Sequence, residues 1–352
     1  MLTIITSAII LSAIIVIVKA IHWYRNAMCK VNLKAKYIIV TGCDSGIGRT
    51  LVQKLINVHH ARVIAFTYME DRLDNVEYTI KCDLRKENEI ACAVEQVEKI
   101  LKENNAELYG VVHNAGVVAA GMIDFMPLST FRSVMEVNFF AIVSLNQKLM
   151  PFLKPKRDNR LKKTNESPKR IVIVTSVDGV VSLPGNAPYD SSKFALEAFA
   201  DALRIESSFF NISVSVVNPS TLATPLALSF FETERNTYNE YKKIDPTGRW
   251  RNDWTEDWLD KHVATGTKNI KQIAQDPIHA VNDIINSLES KHPKHRYLSG
   301  FAAKTIFYML WYKSPTHLLT HSLTHSLTHS LRSMPEYWAY KIKLGLVDPK
   351  PF

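Results

Sequence analysis

From Tyr37 onward, short runs of apolar and β-branched residues alternate with longer stretches in which apolar residues recur every three or four positions. The runs YIIVT (37–41), RVIAF (62–66), YTIKC (78–82), LYGVV (108–112), RIVIVTS (170–176) and ISVSVVN (212–218) predict strands. The amphipathic stretches 46–58, 87–103, about 130–153 and about 188–210 predict helices between them. Nearly continuous apolar strands separated by helices imply parallel pairing with right-handed crossovers, hence an α/β fold with a doubly wound parallel sheet of Rossmann type.

Both ends break this rhythm. Leu2 to Val18 is apolar apart from Thr3, Thr6, Ser7 and Ser12, and with Ala20, Ile21, Trp23 and Tyr24 it is long enough to span a bilayer. No basic region precedes it and no small-x-small cleavage site follows, so residues 1–30 are expected to be an N-terminal membrane anchor helix with a basic flank. Lys19, Arg25, Lys30, Lys34 and Lys36 all follow the span, so the remaining chain is expected on the cytosolic side. Residues 31–300 form the expected main domain. Within it, 220–266 reads as irregular and aromatic-rich, a lid after the sixth strand whose aromatic residues are either core under a loop or the wall of an apolar substrate site. In the tail, 301–352, FAAKTIFYMLWY (301–312) either lies on a membrane or packs on the domain. Residues 316–331 repeat a tetrad that sets His317, His321, His325 and His329 one helical turn apart. With no acid beside them, the repeat reads as low complexity and no metal is expected.

At 352 residues and 46% apolar, the chain can bury a large core, which excludes disorder throughout. Of the net charge of +9, most comes from Lys154–Arg170, with eight basic and two acidic residues. That run has no aromatic residue, so it reads as a solvated loop and no nucleic-acid partner is expected. Cys29, Cys43, Cys82 and Cys92 have no metal-ligand spacing and read as reduced thiols. Glycine is scarce, yet Gly42, Gly46 and Gly48 fall within seven positions.

That cluster follows YIIVT and opens a helix, where backbone N–H groups can cradle a dinucleotide pyrophosphate; the alternative is an ordinary tight turn. Tyr189 and Lys193 stand four apart at a helix start, hence on one face. A phenol is a poor base at neutral pH, and a neighbouring ammonium favours phenolate, making a usable proton acceptor. Ser176 ends the strand thirteen residues upstream.

Together these residues resemble the short-chain dehydrogenase/reductase family over about residues 36–300. The motifs are TGCDSGIG (41–48), CDL with Asp83, HNAG (113–116), Asn138, Ser176, YDSSK (189–193), and NPS (218–220) followed by Thr224. TGCDSG, the amino-terminal anchor and HPKHRYLSG (292–300) are most similar to the membrane-associated retinol and hydroxysteroid dehydrogenase branch. The resemblance implies hydride transfer between a nicotinamide cofactor, NAD in preference to NADP, and a lipophilic alcohol or carbonyl. It implies Tyr189 as proton-exchanging residue, Lys193 lowering its pKa and holding the nicotinamide ribose, Ser176 bonding the reacting oxygen, and Asn138 positioning a water. Gly42, Asp44, Ser45, Gly46, Ile47 and Gly48 would hold the cofactor at the glycine turn. Asp83 would approach the adenine; Asn114, Ala115 and Gly116 would line the cofactor; Pro219 and Thr224 would flank the nicotinamide.

Three positions depart from the family pattern: His113 for an asparagine, Ser220 for a glycine, and Thr67 where an acid often meets the ribose hydroxyls. Glu70 and Asp71 just beyond Thr67 would repel a 2′-phosphate, which favours NAD. The resemblance further implies a membrane location, the endoplasmic reticulum being expected, and a homodimer. Two alternatives stay open: a small 3-hydroxy-acid dehydrogenase of the hydroxybutyrate type, and a non-catalytic nucleotide-binding scaffold.

Overall fold

The computed structural model describes residues 30–155 and 167–307. The expected anchor, the middle of the basic run and the His repeat lie outside the described residues.

Among the described residues, seven parallel strands form one sheet. β1 (Tyr37–Thr41) leads through α1 (Gly46–Asn57) to β2 (Arg62–Thr67) and β3 (Tyr78–Lys81). α2 (Glu87–Glu103) returns the chain to β4 (Leu108–His113). A continuous helical stretch follows, made of α3 (Leu128–Met135), a π-helical turn (Glu136–Phe140) and α4 (Ala141–Leu153). β5 (Lys169–Val174), α5 (Ala187–Ser208) and β6 (Ile212–Pro219) complete the second half. The order is β3-β2-β1-β4-β5-β6-β7, with β7 at Arg296–Ser299. The chain reverses direction across the sheet between β1 and β4, and ligands bind at such a switch point, outside the carboxyl ends of the strands.

Alternation along each strand splits the core in two. Ile39, Val111, Ile171 and Ile173 face α2, α4 and α5 through Val97, Leu145, Leu149 and Leu196. Ile38, Val40, Val112, Val172 and Val174 face the other layer, α1 with Leu51, Val52 and Leu55, and α10 (Ile278–Glu289) with Val281, Ile284, Ile285 and Leu288. The stretch Leu128–Leu153 has the length and apolarity to cross a membrane, yet it lays Ala141, Ile142, Leu145, Leu149 and Leu153 against the sheet.

The lid is helical where the sequence reads as irregular. α6 (Pro225–Leu228) is followed by α7 (Phe230–Ile244), α8 (Trp250–Asp253) and α9 (Glu256–Ile273). Thr255 caps α9 by accepting the Trp258 N–H, and Glu256 and Asp257 complement its positive N-terminal end. Phe231 and Tyr238 of α7, with Trp250, Leu259 and Val263, make a third core closed by Phe125 and Met122. Phe125 meets Tyr238 edge-on at 5.3 Å, and Tyr238 meets Trp250 at 5.0 Å. The lid's most deeply buried aromatic residues therefore hold its own helices together.

Candidate active site

The carboxyl ends of β1 and β4 are laced to each other. Thr41 Oγ1 accepts the backbone N–H groups of Asn114 and Ala115, both at 3.0 Å. Asn114 Nδ2 donates to the carbonyls of Thr41 (2.9 Å) and Gly42 (3.2 Å). Gly42 and Gly46 have φ of +70° and +54°, a region that glycine enters without strain. A Cβ on Gly48 would sit 2.1 Å from the Gly42 carbonyl oxygen, and one on Gly42 would sit 2.7 Å from Ala115 Cα. This tight turn opens α1, whose N-cap residue Ser45 is exposed and makes no side-chain cap bond, so the cap side chain leaves the first-turn N–H groups to a ligand. Ile47 is half-buried and packs its side chain against the core. The place a Cβ on Gly46 would occupy lies 3.3 Å from Thr224, so the glycine turn and the segment after β6 lie side by side. The cradle has the shape and the donor set that a dinucleotide's diphosphate requires.

Asp44 stands in the glycine turn, and its carboxylate is engaged with the backbone beyond β2. Its carboxylate accepts the backbone N–H groups of Tyr68 and Met69 at 2.9 Å and Glu70 at 3.0 Å, clamping the glycine turn to the exit of β2. Arg49 pairs with Glu70 at 2.6 Å. Asp83 is gripped by Arg85, Nε to Oδ1 at 2.9 Å and Nη2 to Oδ2 at 2.8 Å, which holds its carboxyl below the usual range.

Ser176, Tyr189, Lys193 and Asn138, the residues expected to handle the proton, converge from three elements. Ser176 leaves β5 and caps a short 3-10 turn (Val177–Gly179), accepting the Asp178 N–H on its hydroxyl, and its side chain favours the ionised form of the Tyr189 phenol. Tyr189 and Lys193 lie in the first turns of α5, buried, with Lys193 Nζ donating to the Val174 carbonyl at 3.1 Å and 5.3 Å from the Tyr189 ring centre. Asn138 sits in the π-helical turn, fully buried. Its Oδ1 accepts the Val117 N–H (2.8 Å), while Nδ2 donates to the Val117 carbonyl and to Ser192 Oγ, both at 2.9 Å. Ser192 in turn donates to the Tyr189 carbonyl at 2.7 Å. A Cβ on Gly116 would lie 3.3 Å from Asn138 Oδ1 and 3.5 Å from Lys193 Nζ, so the Gly116 backbone runs close beside both side chains. Pro219 ends β6, and Thr224 caps α6 by accepting the Ala227 N–H.

Burial dominates the electrostatics. It pushes the Tyr189 phenol above its ordinary value, Asp178 adds to the rise, and the Ser176 hydrogen bond opposes it. Burial likewise lowers the Lys193 ammonium to about 8, against the attraction of Asp178 and Glu197. At neutral pH the resting pair is a phenol beside a largely protonated lysine.

A second cluster, in which Glu197 and Thr175 carry no motif while Asn218 and Arg296 lie in the NPS and HPKHRYLSG segments, supports the site. Glu197 Oε1 receives Thr175 Oγ1 and Asn218 Nδ2, both at 2.6 Å, and Glu197 Oε2 meets Arg296 at 2.6 Å. Asn218 Nδ2 also reaches the Ser176 carbonyl at 2.9 Å, and its Oδ1 accepts from Arg296 at 2.9 Å. The backbone of Ser176 is thus held from α5, β6 and β7 together. Glu197 follows Lys193 by one helical turn, a spacing that could have signalled its place beside the site. The departures also find places. His113 is buried beside Asn146, with its imidazole driven down to about 4 and hence neutral. Ser220 donates to the Ser299 carbonyl at 3.3 Å and occupies the space beside Gly300, whose φ is +93°. Thr67 donates to the Glu70 carbonyl.

Residues 36–235 match the family model described as short chain dehydrogenase. The chain is 28% identical to human "Retinol dehydrogenase 16" over 317 residues, covering 85% of this chain and 91% of the relative. It is 28% identical to "17-beta-hydroxysteroid dehydrogenase type 6" of Bos taurus, covering 85% and 90%. Among solved structures, a short chain dehydrogenase/reductase from Burkholderia phymatum in complex with NAD shares the fold, with a TM-score of 0.61 and 15% identity over 82% of this chain and 98% of that one.

Proposed function

The chain belongs to the short-chain dehydrogenase family, oxidoreductases that act on CH–OH groups with a nicotinamide cofactor, and on that premise we propose that it is a membrane-anchored, NAD-dependent dehydrogenase of a lipophilic alcohol such as a retinoid or hydroxysteroid. The observation that carries this reading is the convergence of Ser176, Tyr189, Lys193 and Asn138 beside Gly116, within the cleft lined by the glycine turn.

In this reading Gly42, Ser45, Gly46, Ile47 and Gly48 hold the diphosphate and Asp83 lies toward the adenine. Asn114, Ala115 and Gly116 line the cleft, and Pro219 and Thr224 flank the nicotinamide. Asp44 contributes by fixing the turn. When bound, the nicotinamide accepts or returns the hydride. Ser176 holds the reacting oxygen, and Tyr189 exchanges its proton with that oxygen. The resting phenol is the form that gives a proton to a carbonyl. Taking one from an alcohol needs the phenolate, which Ser176 favours and which burial, Asp178 and Asp190 oppose; the nearby Lys193 ammonium is the charge expected to favour it further. Lys193 binds the ribose, and Asn138 positions a water behind it.

NAD is favoured over NADP because Asp44, Glu70 and Asp71 gather at the exit of β2, and the Arg49 charge beside them is already met by Glu70. The apolar span of residues 2–18 supports attachment to a membrane, with the endoplasmic reticulum and a cytosolic catalytic domain as the proposed setting. Such a setting delivers substrate from lipid. Pairing of two copies is part of the same reading.

Detergent-solubilised full-length protein should oxidise retinol or a hydroxysteroid with NAD faster than with NADP, followed by nicotinamide absorbance. Turnover of 3-hydroxybutyrate in preference to every lipophilic alcohol, or faster turnover with NADP, would overturn the substrate or cofactor assignment respectively.

A further inference from the structure

The proton of Ser176 has more claimants than it can serve. Ser176 Oγ lies 3.1 Å from Asp178 Oδ2 and accepts the Asp178 backbone N–H at 3.1 Å, while the Tyr189 phenol and the reacting oxygen are further claimants on its one proton. A hydroxyl has one proton and two lone pairs. With one lone pair taken by the backbone N–H and the proton given to a carboxylate, Ser176 faces the substrate side with a lone pair only. Asp178 Oδ1 is shut off from solvent and has no hydrogen-bond partner among the described residues, an arrangement that burdens the charged form. Tyr189, Asp190, Lys193 and Glu197 of α5 are the ionisable groups around it. β6, also packed on this turn, has no titratable residue in Ile212–Pro219.

We propose that Asp178 is a positioning residue that sets the direction of the Ser176 hydroxyl. As a carboxylate it takes the Ser176 proton and leaves Ser176 an acceptor for a substrate hydroxyl. As a carboxylic acid it donates to Ser176 Oγ, fills the second lone pair, and turns the Ser176 proton outward to a substrate carbonyl or to Tyr189. The inference rests on the reading of Ser176 as the group that holds the reacting oxygen. Burial raises the Asp178 carboxyl to about 6, against the Ser176 hydrogen bond and Lys193, so both forms are accessible in a stable enzyme. Alcohol binding is favoured above that pH and carbonyl binding below it, with about a tenfold change in affinity for exchanging a made hydrogen bond for a mismatched one.

The test uses full-length protein in detergent and two readouts. Infrared pH-difference spectra between pH 5 and 8 should contain a carboxylic-acid carbonyl band with a midpoint near 6 that is missing in Asp178→Asn. In Ser176→Ala, which keeps Asp178 itself, that midpoint should move upward because the bond favouring the carboxylate is gone. In the dead-end complex of retinaldehyde with NAD, wild-type affinity should rise about tenfold from pH 8 to pH 5, and Asp178→Asn should be flat. Glu234 and Asp190 contribute bands with midpoints near 8 in both proteins; a band with a midpoint near 6 that survives in Asp178→Asn, or a midpoint near 6 that Ser176→Ala leaves in place, overturns the assignment. Tyr189→Phe separates the two claims: retained turnover there sinks the dehydrogenase reading, whereas Tyr189-dependent turnover with an unmoved Asp178 midpoint sinks this inference alone.

Discussion

Replacing Asn138 with alanine should destabilise the protein by about 3 kcal/mol, because three hydrogen bonds end on this one side chain. Two of them satisfy the partly buried N–H and carbonyl of Val117, which water can reach after the change, so each is worth about 1 kcal/mol. The third ends on Ser192 Oγ, which is fully buried and loses a donor that nothing replaces; about 1–2 kcal/mol is the usual cost of such a loss. The substitution also loosens the packing between the π-helical turn and Gly116, whose neighbour on that side is Asn138 Oδ1. Urea unfolding of the full-length chain followed by far-UV circular dichroism gives the number from the midpoint shift and slope. A loss below about 0.5 kcal/mol, the range of an ordinary surface substitution, would refute the claim that Asn138 ties the Val117 backbone to the Tyr189 helix.

Two further perturbations address the cradle and the lid. Gly48→Ala should weaken NADH binding at least about tenfold, since the new methyl meets the Gly42 carbonyl oxygen and strain of about 2 kcal/mol or more must be relieved by moving the turn; an affinity within twofold of wild type in a fluorescence titration would count against it. Glu234 is buried in α7 beside His262 at 3.3 Å, and burial raises its carboxyl to about 8. The folded state therefore holds a proton that the unfolded state has released, so the stability from this group is complete at low pH and is lost as pH rises through 8. Glu234→Gln should match wild type in melting temperature at pH 5 and exceed it by several degrees at pH 8.5, and a difference that does not change with pH would contradict that sign.

Strand and helix order was legible because parallel strands buried on both faces must be apolar throughout, as in YIIVT and RIVIVTS. β7 escaped notice for the same reason: Arg296–Ser299 is four residues long, and Arg296 and Leu298 are only half-buried. Motif spacing located Ser176, Tyr189 and Lys193, whose neighbourhood follows from one strand end and one helix turn. The contacts that hold them there join residues far apart in sequence, such as Arg296 with Asn218 and Glu197, and local patterning carries no trace of such pairs. Asp44 illustrates the limit of a motif. Its place in TGCDSG signalled the right loop, whereas its work, capping three N–H groups beyond β2, depends on β2 lying alongside β1. The lid helices were hidden by a polar stretch, RNTYNEYKK, whose Tyr238 and Tyr241 fall three apart on the face that meets Trp250.

The central claim is that Tyr189 exchanges the proton with substrate in a cleft that binds the nicotinamide cofactor independently of its hydroxyl. It is tested by comparing wild type and Tyr189→Phe for alcohol turnover and for the rise in melting temperature caused by NADH. Turnover should fall about a hundredfold or more, the usual worth of a positioned acid–base group, while the NADH-induced stabilisation stays close to that of wild type. Turnover within about tenfold of wild type, or loss of NADH stabilisation along with activity, would contradict it.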